Sequence, residues 1–307
     1  MQNTVFYKKG LVSVIIPTYR RTDKLERAIE SVLSQTYQDI ELLLVNDNIP
    51  NDEYSIQLIK KVDKYKKDNR FHLLLQDKHI NGAVARNFAI KQAVGEYVAF
   101  LDDDDWWEPS KIEKQVNALS QLDDSWGGTS CLITQYDANE CVIGKTRKYQ
   151  EGAIYKDVIF MTTDVATGTL LLRHDSLDKA GYFDEKLVRS QDIQLLTRFT
   201  YKYKLKLVLE HLHNADHSDS QNRLTSESKF KNVVSAYFES VSDIMETLSK
   251  REILCAKCIR EFMLGFIMCK QHNIKQGLLY FFKGSRSPMA VWKTIRIFVR
   301  KRNEKRF

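Results

Sequence analysis

The 307-residue chain lacks a disulfide framework: its five cysteines, at 131, 141, 255, 258 and 269, are odd in number and irregularly spaced. With no apolar leader in residues 1–10, that usage fits a reducing cytoplasm. Cys255-Ala-Lys-Cys258 is a lone CxxC inside a helical pattern, with no second pair to complete a zinc site. No stretch approaches the roughly 18–20 apolar residues that span a bilayer, so the chain is not expected to cross a membrane by itself. Neither GxGxxG nor a P-loop is present, which excludes the glycine-built nucleotide loops. Repeats and low-complexity tracts are absent too. The last shortage is of acids near the end. Residues 270–307 hold eleven Lys/Arg and a single acid, Glu304, whereas the preceding 269 residues carry 36 basic and 39 acidic groups. The net charge of +7 is therefore a property of the tail, and only the tail asks for an anionic partner. The rest, slightly acidic and without a nucleic-acid module, predicts no nucleic-acid binding.

What the chain does have is Asp102-Asp103-Asp104-Asp105, placed directly after the apolar run 97–101 and before Trp106-Trp107. Neighbouring unit charges at ~4 Å repel by about 1 kcal/mol in water and about 4 kcal/mol at an effective dielectric near 20. Four carboxylates therefore need full solvation or a cation. Hard divalent ions take oxygen ligands, and Mg²⁺ commonly combines one or two carboxylates with substrate phosphates.

The first hundred residues alternate strand and helix. The apolar runs 11–16, 40–45, 71–75 and 96–101 read as buried strands. Helices are expected over 25–33, 54–67 and 83–93, the first capped by Thr22 or Asp23 and the third closed by Gly95 at its C′ position. Such alternation predicts a mostly parallel sheet flanked by helices, with ligands beyond the carboxyl ends of the strands. Thr18-Tyr19, Asn46-Asp47 and Asp102–Asp105 all fall at such ends. A helix is expected over 110–122, mixed strands and loops over 126–173, and short helices over 175–180 and 191–203. Residues 205–209 read as an edge strand, 214–228 as a polar loop, and 230–299 as almost entirely helical.

Together these residues resemble the family-2 glycosyltransferases, enzymes of the GT-A fold, over roughly residues 10–220. The motifs stand in the family's order: Val12-Ser-Val-Ile-Ile-Pro-Thr-Tyr19, Ser31-Val-Leu-Ser-Gln-Thr-Tyr37, Val45-Asn-Asp47, Asn81-Gly82 with Ala85-Arg86-Asn87, Phe100–Asp105 with Pro109, Gly181-Tyr-Phe-Asp-Glu185, and Gln191-Asp192. Arg20, Asn48-Ile49, Ala89 and Gln191 depart from its usual residues. The resemblance implies an α/β GT-A catalytic domain over 1–220, its nucleotide-sugar half about 1–109 and its acceptor half about 110–220. A helical region with a basic amphipathic tail follows over 221–307. It implies an inverting, metal-dependent transfer, of hexosyl type, from a nucleoside diphosphate sugar, with UDP favoured. The acceptor would be a glycan or a polyprenyl-diphosphate-linked sugar in surface polysaccharide synthesis.

Roles follow by position. Pro17, Thr18 and Tyr19 form the nucleotide loop, Asp47 accepts from the base, and Arg86 reaches the diphosphate or base as a permanent cation. Asp104 is the choice for ligating Mn²⁺ or Mg²⁺, Asp102 for the ribose or the metal, and Asp103 for a helper. Asp105 is structural. His217 is a candidate late metal ligand. Asp192 is the candidate general base, its bland alternative being an N-cap aspartate. One of Trp106 and Trp107 is expected against a sugar and the other in the core.

In the tail, Val291, Trp292, Ile295, Phe298 and Val299 share a helical face. Lys293, Arg296 and Arg300 share its neighbour, followed by Arg302, Lys305 and Arg306. That pattern suits the anionic cytoplasmic face of a membrane. Two other readings share the sheet. A nucleotidyltransferase would need a glycine-rich first loop, and Pro17-Thr-Tyr-Arg-Arg21 has no glycine. A non-catalytic scaffold would not need Asp47, Asp102, Asp104 and Asp192 together.

Overall fold

The computed structural model describes residues 7–147, 149–218 and 226–305. In chain order its elements begin β1 (Lys8–Thr18), α1 (Leu25–Leu33), β2 (Ile40–Asn46), α2 (Glu53–Val62), β3 (Phe71–Leu75), α3 (Gly82–Ile90), β4 (Gly95–Phe100), β5 (Trp106–Trp107) and α4 (Lys111–Ser120). They continue with β6 (Trp126–Tyr136), β7 (Val142–Lys145), α5 (Tyr155–Ile159), β8 (Leu171–Arg173), α6 (His174–Ala180), α7 (Gln191–Lys202) and β9 (Lys204–Asp216). The helices α8 (Glu227–Ser240), α9 (Ser242–Glu246), α10 (Lys250–Lys270), α11 (Ile274–Gly284) and α12 (Pro288–Glu304) close the chain.

Among the described residues one sheet has the order β3-β2-β1-β4-β8-β6-β9-β5, with β7 added to β6. Strands β3, β2, β1 and β4 are parallel, β8 runs antiparallel between β4 and β6, and β6 pairs β9 in parallel. The parallel strands read as continuous apolar runs because both faces are covered. Val12, Val14 and Ile16 pack towards α1, α2 and α4, while Ile15, Val45 and Phe100 pack towards α3, α6 and α7. Burial of each such side chain stabilises by roughly 1.5–3 kcal/mol.

Several local expectations are corrected. Helix α1 is capped by Lys24 without a side-chain bond, so neither Thr22 nor Asp23 caps it. Helix α2 ends at Val62 and passes into a 3₁₀ turn, Asp63–Lys67. Gly95 does not close α3; it opens β4, where a Cβ would lie 2.6 Å from the Leu11 carbonyl oxygen. The glycine is there for close backbone approach. Residues 205–209 belong to a long strand, β9, that lies inside the sheet between β6 and β5. Residues 154–155 enter α5 instead of a strand.

The C-terminal helices carry their own apolar cluster, in which Tyr237, Val241, Ile244, Cys255 and Ile259 meet Ile159 and Phe160 of the sheet-bearing part. Cys255 and Cys258 are both buried there and form no disulfide. Helix α12 is fastened by Arg300, which pairs with Asp164 at 2.9 Å and donates to the Thr162 carbonyl. Lys293 lies 4.5 Å from the Phe160 ring. Two cations expected on an open basic face thus face the protein instead. Trp292 (55% exposed), Ile295, Phe298 and Val299 stay open to solvent, as do Leu278 and Phe282 (74%) of α11. No helix among the described residues is long and apolar enough to cross a membrane.

Candidate active site

The loops after β1, β2, β3 and β4 leave the same edge of the parallel sheet, and the candidate residues gather there. Thr18 ends β1, fully buried, with its hydroxyl 2.7 Å from Asp103 Oδ2. Pro17 pairs with Val45 inside the sheet. After Thr18 the chain turns through Arg20 at φ 53°, a left-handed conformation held because its N–H donates to Asn48 Oδ1 at 2.7 Å. Asn48 is itself fixed by donating to Asn46 Oδ1 at 2.9 Å. Two of the residues at which the chain departs from the family pattern, Arg20 and Asn48, therefore form one interlocked turn.

Asp47 is 2% exposed, and one of its oxygens lies 2.8 Å from His79 Nδ1 while the other, Oδ1, has no hydrogen-bond partner. Burial raises its carboxyl pKa, against the pull of His79 and Arg86. The His79 ring stacks on Tyr19, centroids 3.6 Å apart and planes 8° apart. Tyr19, Asp47 and His79 make a flat, polar-edged slot.

The four aspartates diverge in role. Asp102 is half exposed and pairs with Arg86. Asp103 is buried, and desolvation pushes its pKa up to about 7. Asp104 receives Arg21 at 2.6 Å, and burial with the charges of Asp105 and Asp102 raises its pKa to about 6. Asp105 sits 3.1 Å from buried His213 Nε2 and accepts the Asp216 N–H at 2.8 Å, a structural tie between β9 and the loop.

Arg86 is not in an intrahelical ion pair; it reaches from α3 to Asp102. It also bears electrostatically on Asp47 and Asp192, opposing the rise that burial gives the pKa of each. Asp192 is the second residue of α7, behind the cap Ser190, so the N-cap alternative is set aside. Its surface is open to water, yet protein crowds it enough to raise its pKa, against Arg86 and the first-turn amides. Ser190 stands before it at φ 63°, a strained conformation for a residue with a Cβ. His217 follows β9 directly, is exposed, and donates its N–H to the Tyr136 carbonyl.

Other motif residues turn out to be clamps. Asn81 caps α3 and donates to the Glu185 carbonyl at 3.0 Å, and Asn87 exchanges two bonds with the Phe183 backbone. They fix the 181–185 segment against α3. Gln35, fully buried, donates to the Glu108 carbonyl and accepts from the Ile112 N–H, holding the chain just past the aspartates. Trp107 is core, with Lys111 Nζ 3.8 Å from its ring, while Trp106 is half-buried under Arg27 at 3.7 Å. Burial lowers the Lys111 pKa to about 8.

Sequence reasoning missed Arg21, His79 and the Asp216 cluster. Asp216 accepts from Lys24 at 2.5 Å and from Arg27 at 3.1 Å, and although burial opposes it, these cations hold its carboxyl far below the usual range. Arg27 also donates to the Asp104 carbonyl. Only Arg21 carried a sequence signal, as the cation closing the first strand's loop.

The model of the family described as Glycosyl transferase family 2 matches residues 13–181. The Escherichia coli UDP-Glc:alpha-D-GlcNAc-diphosphoundecaprenol beta-1,3-glucosyltransferase WfaP is 41% identical over 110 residues, covering 36% of this chain and 41% of that protein. Staphylococcus aureus TarS 1-349 in complex with UDP-GlcNAc has a TM-score of 0.56 at 15% identity, covering 87% of this chain and 89% of that one. The mannosyltransferase PcManGT from Pyrobaculum calidifontis, in complex with GDP-Man and Mn²⁺, gives 0.58 at 14%, covering 94% and 79%. At such identities the two structures speak for the fold alone, and it is the mixed α/β GT-A fold expected from the sequence.

Proposed function

The chain belongs to glycosyl transferase family 2, and on that premise we propose that it is an inverting, metal-dependent enzyme using a nucleoside diphosphate sugar, UDP-linked. The acceptor is a hydroxyl of a glycan or of a polyprenyl-diphosphate-linked sugar in surface polysaccharide synthesis. The observation that supports this most is the convergence on Arg86: one guanidinium acts on Asp47, Asp102 and Asp192, which come from three distant segments. The donor of TarS and the diphosphoundecaprenol-linked acceptor of WfaP agree with it. We carry forward the division into a catalytic part over 1–220, with donor and acceptor halves, and a helical part over 221–307.

In this reading the base lies on Tyr19 and donates to Asp47, whose second oxygen is free to accept. Pro17 and Thr18 shape the loop beneath it, and Asp102 and Asp103 face the ribose. The donor set suits Mn²⁺ or Mg²⁺: the ligands are hard oxygens, and the raised pKa values of Asp103 and Asp104 mark negative charge crowded out of water. No three His, Cys, Asp or Glu among the described residues gather as a metal cage. Two carboxylates suffice for an ion that also takes diphosphate oxygens. Asp104 and Asp102 would hold it, and His217 would join them only by moving closer, since the three do not gather here. Bound there, the cation would neutralise charge developing on the leaving diphosphate.

Asp192 removes the proton of the acceptor hydroxyl as that oxygen bonds to the anomeric carbon. The bond from that carbon to the diphosphate breaks, and its electron pair leaves with the nucleotide, towards Arg86. Attack opposite the leaving group inverts the centre, so an α-linked donor gives a β-linkage. A raised pKa makes Asp192 a stronger base than an ordinary aspartate. The exposed apolar residues of α11 and α12 with nearby Arg296, Lys301 and Arg302 support peripheral attachment to an anionic membrane. A panel of nucleotide sugars with Mn²⁺, read by thermal shift and nucleotide release, tests the donor. A ligand at a hundredfold excess over Kd stabilises by about 2.7 kcal/mol. If no nucleotide sugar shifts the melting temperature, the reading fails.

A further inference from the structure

Away from the crevice, α8, α10 and the turn after α11 enclose a cleft of about 250 Å³. Its floor is apolar, with Phe230, Val234, Phe238 and Leu264. Lys231, Lys257, Arg260 and Arg286 also line it, against one acid, Glu261. Arg260 is the unusual member. It is 7% exposed, no carboxylate among the described residues pairs with it, and its Nη1 is buried without a hydrogen-bond partner. Its guanidinium lies near two rings, 5.7 Å from Tyr237 and 5.6 Å from Phe238. Aromatic faces attract a cation weakly compared with an ion pair, and a buried charge normally has a partner. Lys231 pairs with Glu227 and Arg286 donates to the Lys283 carbonyl, and as cations they add to the positive charge around Arg260.

We propose that this cleft is a phosphate-binding site in which Arg260 is the central ligand and Lys257 and Arg286 form the rim. The planar fork of an arginine matches phosphate oxygens two at a time, and an apolar floor keeps the contact out of water. The phosphate belongs either to a lipid headgroup or to a small soluble anion. The exposed Leu278 and Phe282 of α11, close in the chain to Arg286, would meet the acyl region in the first case. The site does not depend on the donor crevice.

The test uses the full chain saturated with UDP, so that the crevice does not contribute. Pyrophosphate binding is followed by isothermal titration, and vesicle binding is compared for phosphatidylglycerol and phosphatidylcholine. Wild type binds pyrophosphate, Lys257→Glu at the exposed rim weakens it about tenfold, and Arg260→Met abolishes it. Arg260→Met leaves the melting temperature unchanged or higher, because it removes a buried, unpaired charge. If headgroups are the source, pyrophosphate competes with phosphatidylglycerol vesicles and Arg260→Met lowers vesicle binding. If vesicle binding is unaffected, the soluble anion is the source. Wild type that ignores pyrophosphate, or Lys257→Glu that binds it like wild type, overturns the proposal. An Arg260→Met chain that loses stability and keeps pyrophosphate binding shows a merely structural arginine.

Discussion

The crevice at the sheet edge and the C-terminal helices handle charge differently. In the crevice nearly every ionic group has a partner from another segment: Arg86 with Asp102, Arg21 with Asp104, His79 with Asp47, and Arg27 with Asp216. The apolar residues beneath it are covered, while the loops at its rim expose Ile49, Ile80 and Val188. Among the helices, Arg260 is buried and unpaired, while Phe282 and Trp292 stand in solvent. A network of satisfied pairs positions groups for chemistry on a small molecule. A surface with unmet charge and uncovered apolar area is shaped for something outside the chain.

The contrast breaks first at Asp192. Asp192→Asn should leave UDP affinity unchanged and lower transfer by about 10²–10⁴-fold, measured by nucleotide release with acceptor present. Unaltered transfer would put the base elsewhere. Next comes Lys111, a buried cation on the sheet side that also lacks a carboxylate. Its folded pKa, about 8, lies below the ordinary 10.5, so the unfolded chain binds more protons between those values and stability rises with pH across that window. Lys111→Met should be more stable than wild type at pH 7, by up to about 3 kcal/mol, with the gap closing by pH 10.5 in urea titrations. A gap that stays constant with pH would mean that the Lys111 pKa is the same in the folded and the unfolded chain. Asn87→Ala, which strips both bonds from the Phe183 backbone, should cost about 2–3 kcal/mol of stability by the same titration. The smallest effect belongs to the helices. Trp292→Ser with Phe282→Ser should move stability by less than about 0.5 kcal/mol each, yet reduce sedimentation with phosphatidylglycerol vesicles. Undiminished sedimentation would remove these residues from any membrane contact.

The parallel half of the fold was legible because two-sided burial writes itself as runs such as Val12-Ser-Val-Ile-Ile16, and because ligand-bearing residues follow the ends of such runs. Asn81, Asn87 and Gln35 were legible as motif members but not as clamps, since their partners lie 73 to 104 residues away. The second half of the sheet was harder. Strand β9 carries Glu210, His211, His213 and Asn214 in its latter part, a polar stretch that looks like a loop until Trp106-Trp107 and β6 supply its ladder. Gly95 misled for a related reason: the need for a missing Cβ comes from β1, not from the helix before it. His79 has no local signature at all. Its role rests on Tyr19, 60 positions earlier in the chain.

The Arg300–Asp164 fastening has a consequence in time. Its two ends are separated by 136 residues. At the usual pace of synthesis, on the order of ten seconds passes between their emergence from the ribosome. The sheet and its crevice can therefore be assembled while α12, which fastens against them, is still unmade.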